Sequence, residues 1–88
     1  MPRYHFNIDG DQPYHDDEGS ELATLEVAKC QAIQMAGRII CDAAESFWDR
    51  AEWAMTVSDG AGLTLLRLEI TATEAPATMR PRPGLTAT

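Results

Sequence analysis

A two-layer α+β domain is the fold class this chain predicts: a small antiparallel sheet of three or four strands covered on one face by one long helix, in the order β-(β)-α-β-β. Three patterns predict it. Apolar residues alternate near the start, recur at helical spacing in the middle, and alternate again on both sides of a glycine-rich turn.

Arg3 to Ile8 sets Tyr4, Phe6 and Ile8 on one face and Arg3, His5 and Asn7 on the other, the period of a half-buried strand. Asp9-Gly10 stops it. Pro13-Tyr14 is a candidate start for a short second strand before Asp16-Asp17-Glu18-Gly19. From Leu25 the period lengthens. Leu25, Ala28, Ala32, Ala36, Ile39 and Ala43 fall in one arc of a helical wheel, flanked by Met35 and Ile40, and predict a core-facing helix to about Ser46. Thr24 is placed to cap it and Glu26 to meet the positive end of its dipole. Because alanines dominate the arc, the helix can lie close to the sheet.

Trp53 to Ser58 alternates, Asp59-Gly60-Ala61-Gly62 is a turn, and Leu63 to Thr71 completes a β-hairpin. Leu66, Leu68 and Ile70 are expected inward and Arg67 and Glu69 outward, yet Leu63 and Leu65 have the opposite parity, which leaves the register open by one residue. Residues 1–71 thus read as one domain. The segment 72–88, with Pro76, Pro81 and Pro83 among small polar residues, is expected to be a disordered tail, because it has little apolar bulk to offset its ordering entropy. Arg80 and Arg82 there are candidates for contact with an acidic partner, against the simpler expectation of a solvated tail.

With 7 basic against 14 acidic residues and a net charge of -7, most of the surface repels a phosphate backbone, so no nucleic acid is expected as partner. The start MPRYHF lacks the pattern of a signal peptide, and no apolar run is long enough to span a bilayer, so the expectation is a cytoplasmic protein without membrane contact. Cys30 and Cys41 fit a reduced state, with an intermolecular disulfide as the lesser alternative: eleven positions along one helix separate them by roughly 16 Å, beyond the reach of an internal disulfide.

MPRYHF, the acidic DDEG, the helix opening LATLEVAK and the later AMTVSDGAG resemble, in that order, a family of short proteins of unknown function common in alphaproteobacteria. Members resemble this chain in an MPRY-aromatic start, a D-x-E-G-x-E-L segment, an alanine-rich helix and a closing hairpin. Ala23-Thr24 stands where the family commonly has Pro-Asp, a departure that keeps a capping side chain. The resemblance implies architecture and no chemistry. A looser similarity connects the acidic turn and helix opening to HicB-like antitoxin domains, and implies an acidic partner that neutralises a basic protein. This chain lacks their P-D-L-P-G-C-like stretch and the DNA-binding segment many of them carry.

The stretch DGDQPYHDDEGSEL, Asp9 to Leu22, holds Asp9, Asp11, Asp16, Asp17, Glu18 and Glu21. As an EF-hand its register fails. Starting at Asp9 puts Pro13 and Tyr14 where a ligand and a glycine belong, and starting at Asp16 puts Glu21 at the glycine position. Asp16, Asp17, Glu18 and His15 are weak metal candidates beside the favoured reading of a solvated acidic turn. His5, His15 and Asp16 can converge only if the strands pair suitably. Paired catalytic carboxylates need contrasting environments, and no apolar wall is visible here, so no catalytic residue is assigned. Cys30 and Cys41 have no histidine at helical spacing, and Gly60 and Gly62 belong to a turn and not to a phosphate loop. No cofactor is expected.

Two surfaces are left as partner-binding candidates. One is the acidic loop, Asp9, Asp11, Asp16, Asp17 and Glu18, for a basic protein. The other is the helix outer face, where Val27, Cys30, Gln34, Gly37 and Cys41 form a small, weakly polar stripe suited to close helix–helix approach in a homodimer, with an uncharged solvent face as the plain alternative. The function expected is that of a small non-enzymatic binding protein, homodimeric, with an antitoxin-like partner and a metal-dependent enzyme as successively weaker alternatives.

Overall fold

The computed structural model describes residues 1–10 and 13–76. Alternation at the start becomes strand β1, Arg3–Asp9, and Ser20–Glu21 forms a two-residue strand β2. Helix α1 spans Leu25–Asp42, a short helix α2 spans Ala44–Phe47, and the closing hairpin is β3, Glu52–Asp59, with β4, Thr64–Thr71. The sheet is antiparallel throughout, in the order β2-β1-β3-β4, and α1 covers one face.

Strand pairing places Tyr4, Phe6, Ile8, Trp53, Met55 and Val57 on the covered face, since Phe6 sits opposite Val57 and Ile8 opposite Met55. Phe6, Met55 and Val57 are fully buried, and Ala28 and Ala32 of α1 close over them. The methyl side chains allow the close approach anticipated from the alanine arc. Thr24 caps α1 as expected: its Oγ1 accepts from Val27 N–H at 3.2 Å and satisfies one orphan donor of the first turn.

Two expectations are corrected. The helix does not run to Ser46. Ala43 leaves helical geometry (φ -106°, ψ 23°), its N–H shared between the carbonyls of Ile39 and Ile40, and α2 begins after it at Ala44. Ile39 and Ala43 are consequently half-buried, lining a cleft of about 580 Å³ with Ile8, Tyr14, Phe47 and Trp53. The second strand is Ser20–Glu21 and not Pro13-Tyr14; Tyr14 makes only an isolated bridge, exchanging two hydrogen bonds of 2.8 and 2.9 Å with Ile8.

The hairpin register, open by one residue in the sequence, resolves through a bulge. Val57 pairs with Leu66 and Ser58 with Thr64, so Leu65 is the extra residue. That insertion reverses the parity of Leu63 and Leu65 relative to Leu66, Leu68 and Ile70, which stay on the helix side. The turn itself is built by Asp59, whose Oδ1 accepts from the N–H groups of Ala61 and Leu63, both at 2.9 Å, while Gly62 takes a positive φ of 89°. Beyond β4, Ala72 N–H still donates to Ala51 (2.9 Å). Most of the expected tail, 77–88 with Arg80 and Arg82, lies outside the described residues.

Candidate functional site

The acidic segment folds back along the outer edge of β1, and Asp16 is the side chain that holds it there. Its Oδ2 accepts from Phe6 N–H at 3.1 Å and its Oδ1 from Gly19 N–H at 3.0 Å. Its backbone is fastened as well: Asp16 N–H donates to Asn7 Oδ1 (2.9 Å), and the Asp16 carbonyl lies 2.7 Å from His5 Nδ1. A carbonyl can only accept, so that ring nitrogen carries the hydrogen and, in the neutral ring, Nε2 keeps the lone pair.

Asp16 therefore takes the place of a neighbouring strand between the bridge at Tyr14 and the pairing at Ser20. Burial works against its ionised form, but the N–H groups of Gly19 and Phe6 and the nearby His5 outweigh it, and the carboxyl titrates below its ordinary value. The reading of a solvated acidic turn fails for Asp16. It holds for Asp17 and Glu18, which are exposed; Asp17 points outward to His15 at 3.4 Å. His5 and Asp16 do meet, whereas His15 is 78% exposed and stands apart. Among the described residues no three His, Cys, Asp or Glu side chains gather as a metal site.

Gly19 explains how the loop passes so close to the sheet. At φ 72° it occupies the left-handed region, and a Cβ there would lie 2.9 Å from the Tyr4 carbonyl oxygen, His5 Cε1 and Arg3 Cγ. Arg3 clamps the far side, donating to the Glu18 carbonyl at 2.7 Å and to Glu21 at 3.1 Å.

The sheet face away from α1 carries a second constellation that residue spacing alone did not assemble. Arg67 Nη1 donates to Asp9 at 2.7 Å and Nε to Glu69 at 2.8 Å, which raises the Arg67 pKa through Glu69 first and then Asp9. The outward Arg67 and Glu69 were legible as an i, i+2 pair; the Asp9 contact needed the strand order, because β3 lies between. Asp9 is thus ion-paired and not a free member of the acidic cluster, and Asp11 lies outside the described residues.

On the helix outer face, Val27, Cys30, Gln34, Gly37 and Cys41 are all exposed, and both cysteines are free thiols. A Cβ on Gly37 would meet nothing within 4 Å, so this stripe is open. Tyr4, Phe6 and the alanines of α1 lie on the other side of the layer.

No helix among the described residues is long and apolar enough to cross a membrane. A family profile described as Domain of unknown function (DUF6894) matches residues 3–71. A search of curated proteins and a search of solved structures each returned no match.

Proposed function

The chain belongs to the DUF6894 family, and from that premise we propose that it is a small non-enzymatic binding protein of the cytoplasm that works through protein–protein contact and self-associates as a homodimer. One observation carries this reading. Leu66, Leu68 and Ile70 form a half-buried apolar row on a strand at the end of the sheet. The acid that enzymatic use of the loop would need most, Asp16, already accepts two backbone hydrogen bonds, which counts against a metal-dependent enzyme built there.

Sedimentation of the full chain across concentration tests the reading. A dimer in equilibrium with monomer supports it, and a strict monomer at several hundred micromolar removes self-association. A second reading, an antitoxin-like partner for a basic protein, is favoured by the outward carboxylates of Asp17 and Glu18 beside a net charge of -7. Affinity capture from the native host with mass spectrometry tests that one: a basic partner supports it, and recovery of the protein alone counts against it.

A further inference from the structure

We propose that the homodimer forms by antiparallel pairing of β4 with β4 of a second copy, centred on Leu68, giving one continuous sheet of eight strands with both helices on the same face. The inference rests on the homodimer reading and adds to it the surface and the register. β4 is eight residues long and ends the sheet, and among the described residues no strand pairs with its outer edge. Its covered-face residues Leu66, Leu68 and Ile70 are half-buried, and Leu65, the bulged residue, is 37% exposed.

Charge selects the register. A two-fold axis perpendicular to the sheet pairs residue i with its mirror about one central residue, and directly opposed side chains share a face. Centred on Arg67, the pairing sets Arg67 against Arg67; centred on Glu69, it sets Glu69 against Glu69. Both place like charges opposite each other. Centred on Leu68, Arg67 of each copy faces Glu69 of the other on the open face, while Leu68 faces Leu68 and Leu66 faces Ile70 on the helix face. Every opposed pair between 66 and 70 is then complementary.

Charged residues on an edge strand usually oppose pairing, and like charges directly opposite each other destabilise it further. An Arg and a Glu two residues apart instead leave one register attractive. The guanidinium can serve it. Its planar fork carries five N–H donors, more than the two taken by Asp9 and Glu69 of its own chain.

The size of the contact sets its strength. Centred on Leu68, the pairing overlaps residues 65–71, a strand edge ~24 Å long, and at ~15–20 Å deep through sheet and helix layers it buries about 700–950 Å² over both copies, the size of a weak, transient interface. A contact of this size calls for a weak dimer, so the test spans concentrations from about 10 to several hundred micromolar.

Sedimentation equilibrium of the full chain and three variants tests the register, with circular dichroism to confirm folding. Arg67→Glu, which opposes Glu to Glu at both symmetry-related positions, is expected to weaken the dimer about tenfold or more. Arg67→Glu with Glu69→Arg restores the opposed pairs in reversed polarity and should return the affinity to near that of the parent. Gln34→Lys, on the helix outer face, should leave it unchanged. A parent dimer broken by Gln34→Lys and insensitive to Arg67→Glu would move the interface to the helix and overturn the β4 assignment while leaving the dimer. A double reversal as weak as the single one overturns the register. A monomeric parent overturns both the pairing and the homodimer reading.

Discussion

Replacing Asp16 by alanine removes the acceptor for two backbone N–H groups, Phe6 at 3.1 Å and Gly19 at 3.0 Å, without touching the backbone bonds that Asp16 makes to Asn7 and His5. Bonds to a charged acceptor contribute about 1.5–3 kcal/mol each, and the half-buried position argues for the lower end, so the loss is about 3 kcal/mol. In a domain of this size that corresponds to a fall in Tm of roughly 12–25 °C. Asp16→Asn keeps one acceptor oxygen and presents an amide to the other donor, so about half that loss is expected.

The acid side of the pH profile is an independent check. The Asp16 carboxyl titrates below its ordinary value of 3.8 in the folded chain, so its stabilisation is fully present above that value and disappears as pH falls through the lower, folded one. Urea titrations of parent and Asp16→Ala between about pH 2 and 6 should converge at the acid end. An alanine variant within about 0.5 kcal/mol of the parent at neutral pH, where surface substitutions fall, would refute the view that this carboxylate closes the edge of β1. A gap that persists unchanged to the lowest pH would refute the assignment of the effect to its charge.

Four further substitutions follow from local geometry, each checked by thermal or urea unfolding. Gly19→Ala meets both a left-handed backbone and a carbonyl 2.9 Å from the new Cβ, so a loss of about 2–4 kcal/mol is expected. Ala51→Gly is expected to gain about 0.5–1 kcal/mol, because Ala51 is a non-glycine residue at φ 61°. Thr24→Ala should cost about 1 kcal/mol through the lost N-cap bond to Val27. Gly37→Ala has open space around its Cβ and should gain about 1 kcal/mol from helix propensity; sedimentation of the same variant should show an unchanged dimer, whereas weakening would place a partner helix on that face.

The elements whose side chains obey one period were legible in the sequence. Tyr4, Phe6 and Ile8, the alanines of α1, and Leu66, Leu68 and Ile70 all fall on the faces their spacing assigns. Spacing is silent where backbone geometry changes without a glycine or proline to mark it. Ala43 ends α1 and Ala51 turns left-handed, and an alanine announces neither. Leu65 is a different case: its parity conflicts with that of its neighbours, and a one-residue bulge is the arrangement that reconciles them. Asp16 was visible as an acid but not as a structural one, because its donors, Phe6 and Gly19, are backbone groups that only the pairing of β1 brings within reach.

The same strand order ties the acidic segment to the proposed interface. A four-stranded sheet has two outer edges, and each exposes unpaired backbone groups that favour association. Along β1 the chain closes its own edge: β2 pairs with Arg3 and Tyr4, the Asp16 carboxylate takes the Phe6 N–H, and Tyr14 bridges Ile8. Along β4 the described residues supply neither a strand nor a side chain to do this, and the edge carries an apolar row and an Arg–Glu pair that is complementary to itself under one two-fold axis. Two closed edges would leave a monomer with only side-chain surfaces for recognition. One edge closed and one open limits sheet growth to a single step, which yields a dimer and not a fibre, because after β4 has paired with β4 each remaining edge is the β1 side closed by β2, Asp16 and Tyr14. Losing the Asp16 carboxylate should therefore do more than destabilise the fold: at concentrations where the parent is a dimer, Asp16→Ala should form species larger than a dimer, and a variant that stays strictly dimeric would break this link between the two edges.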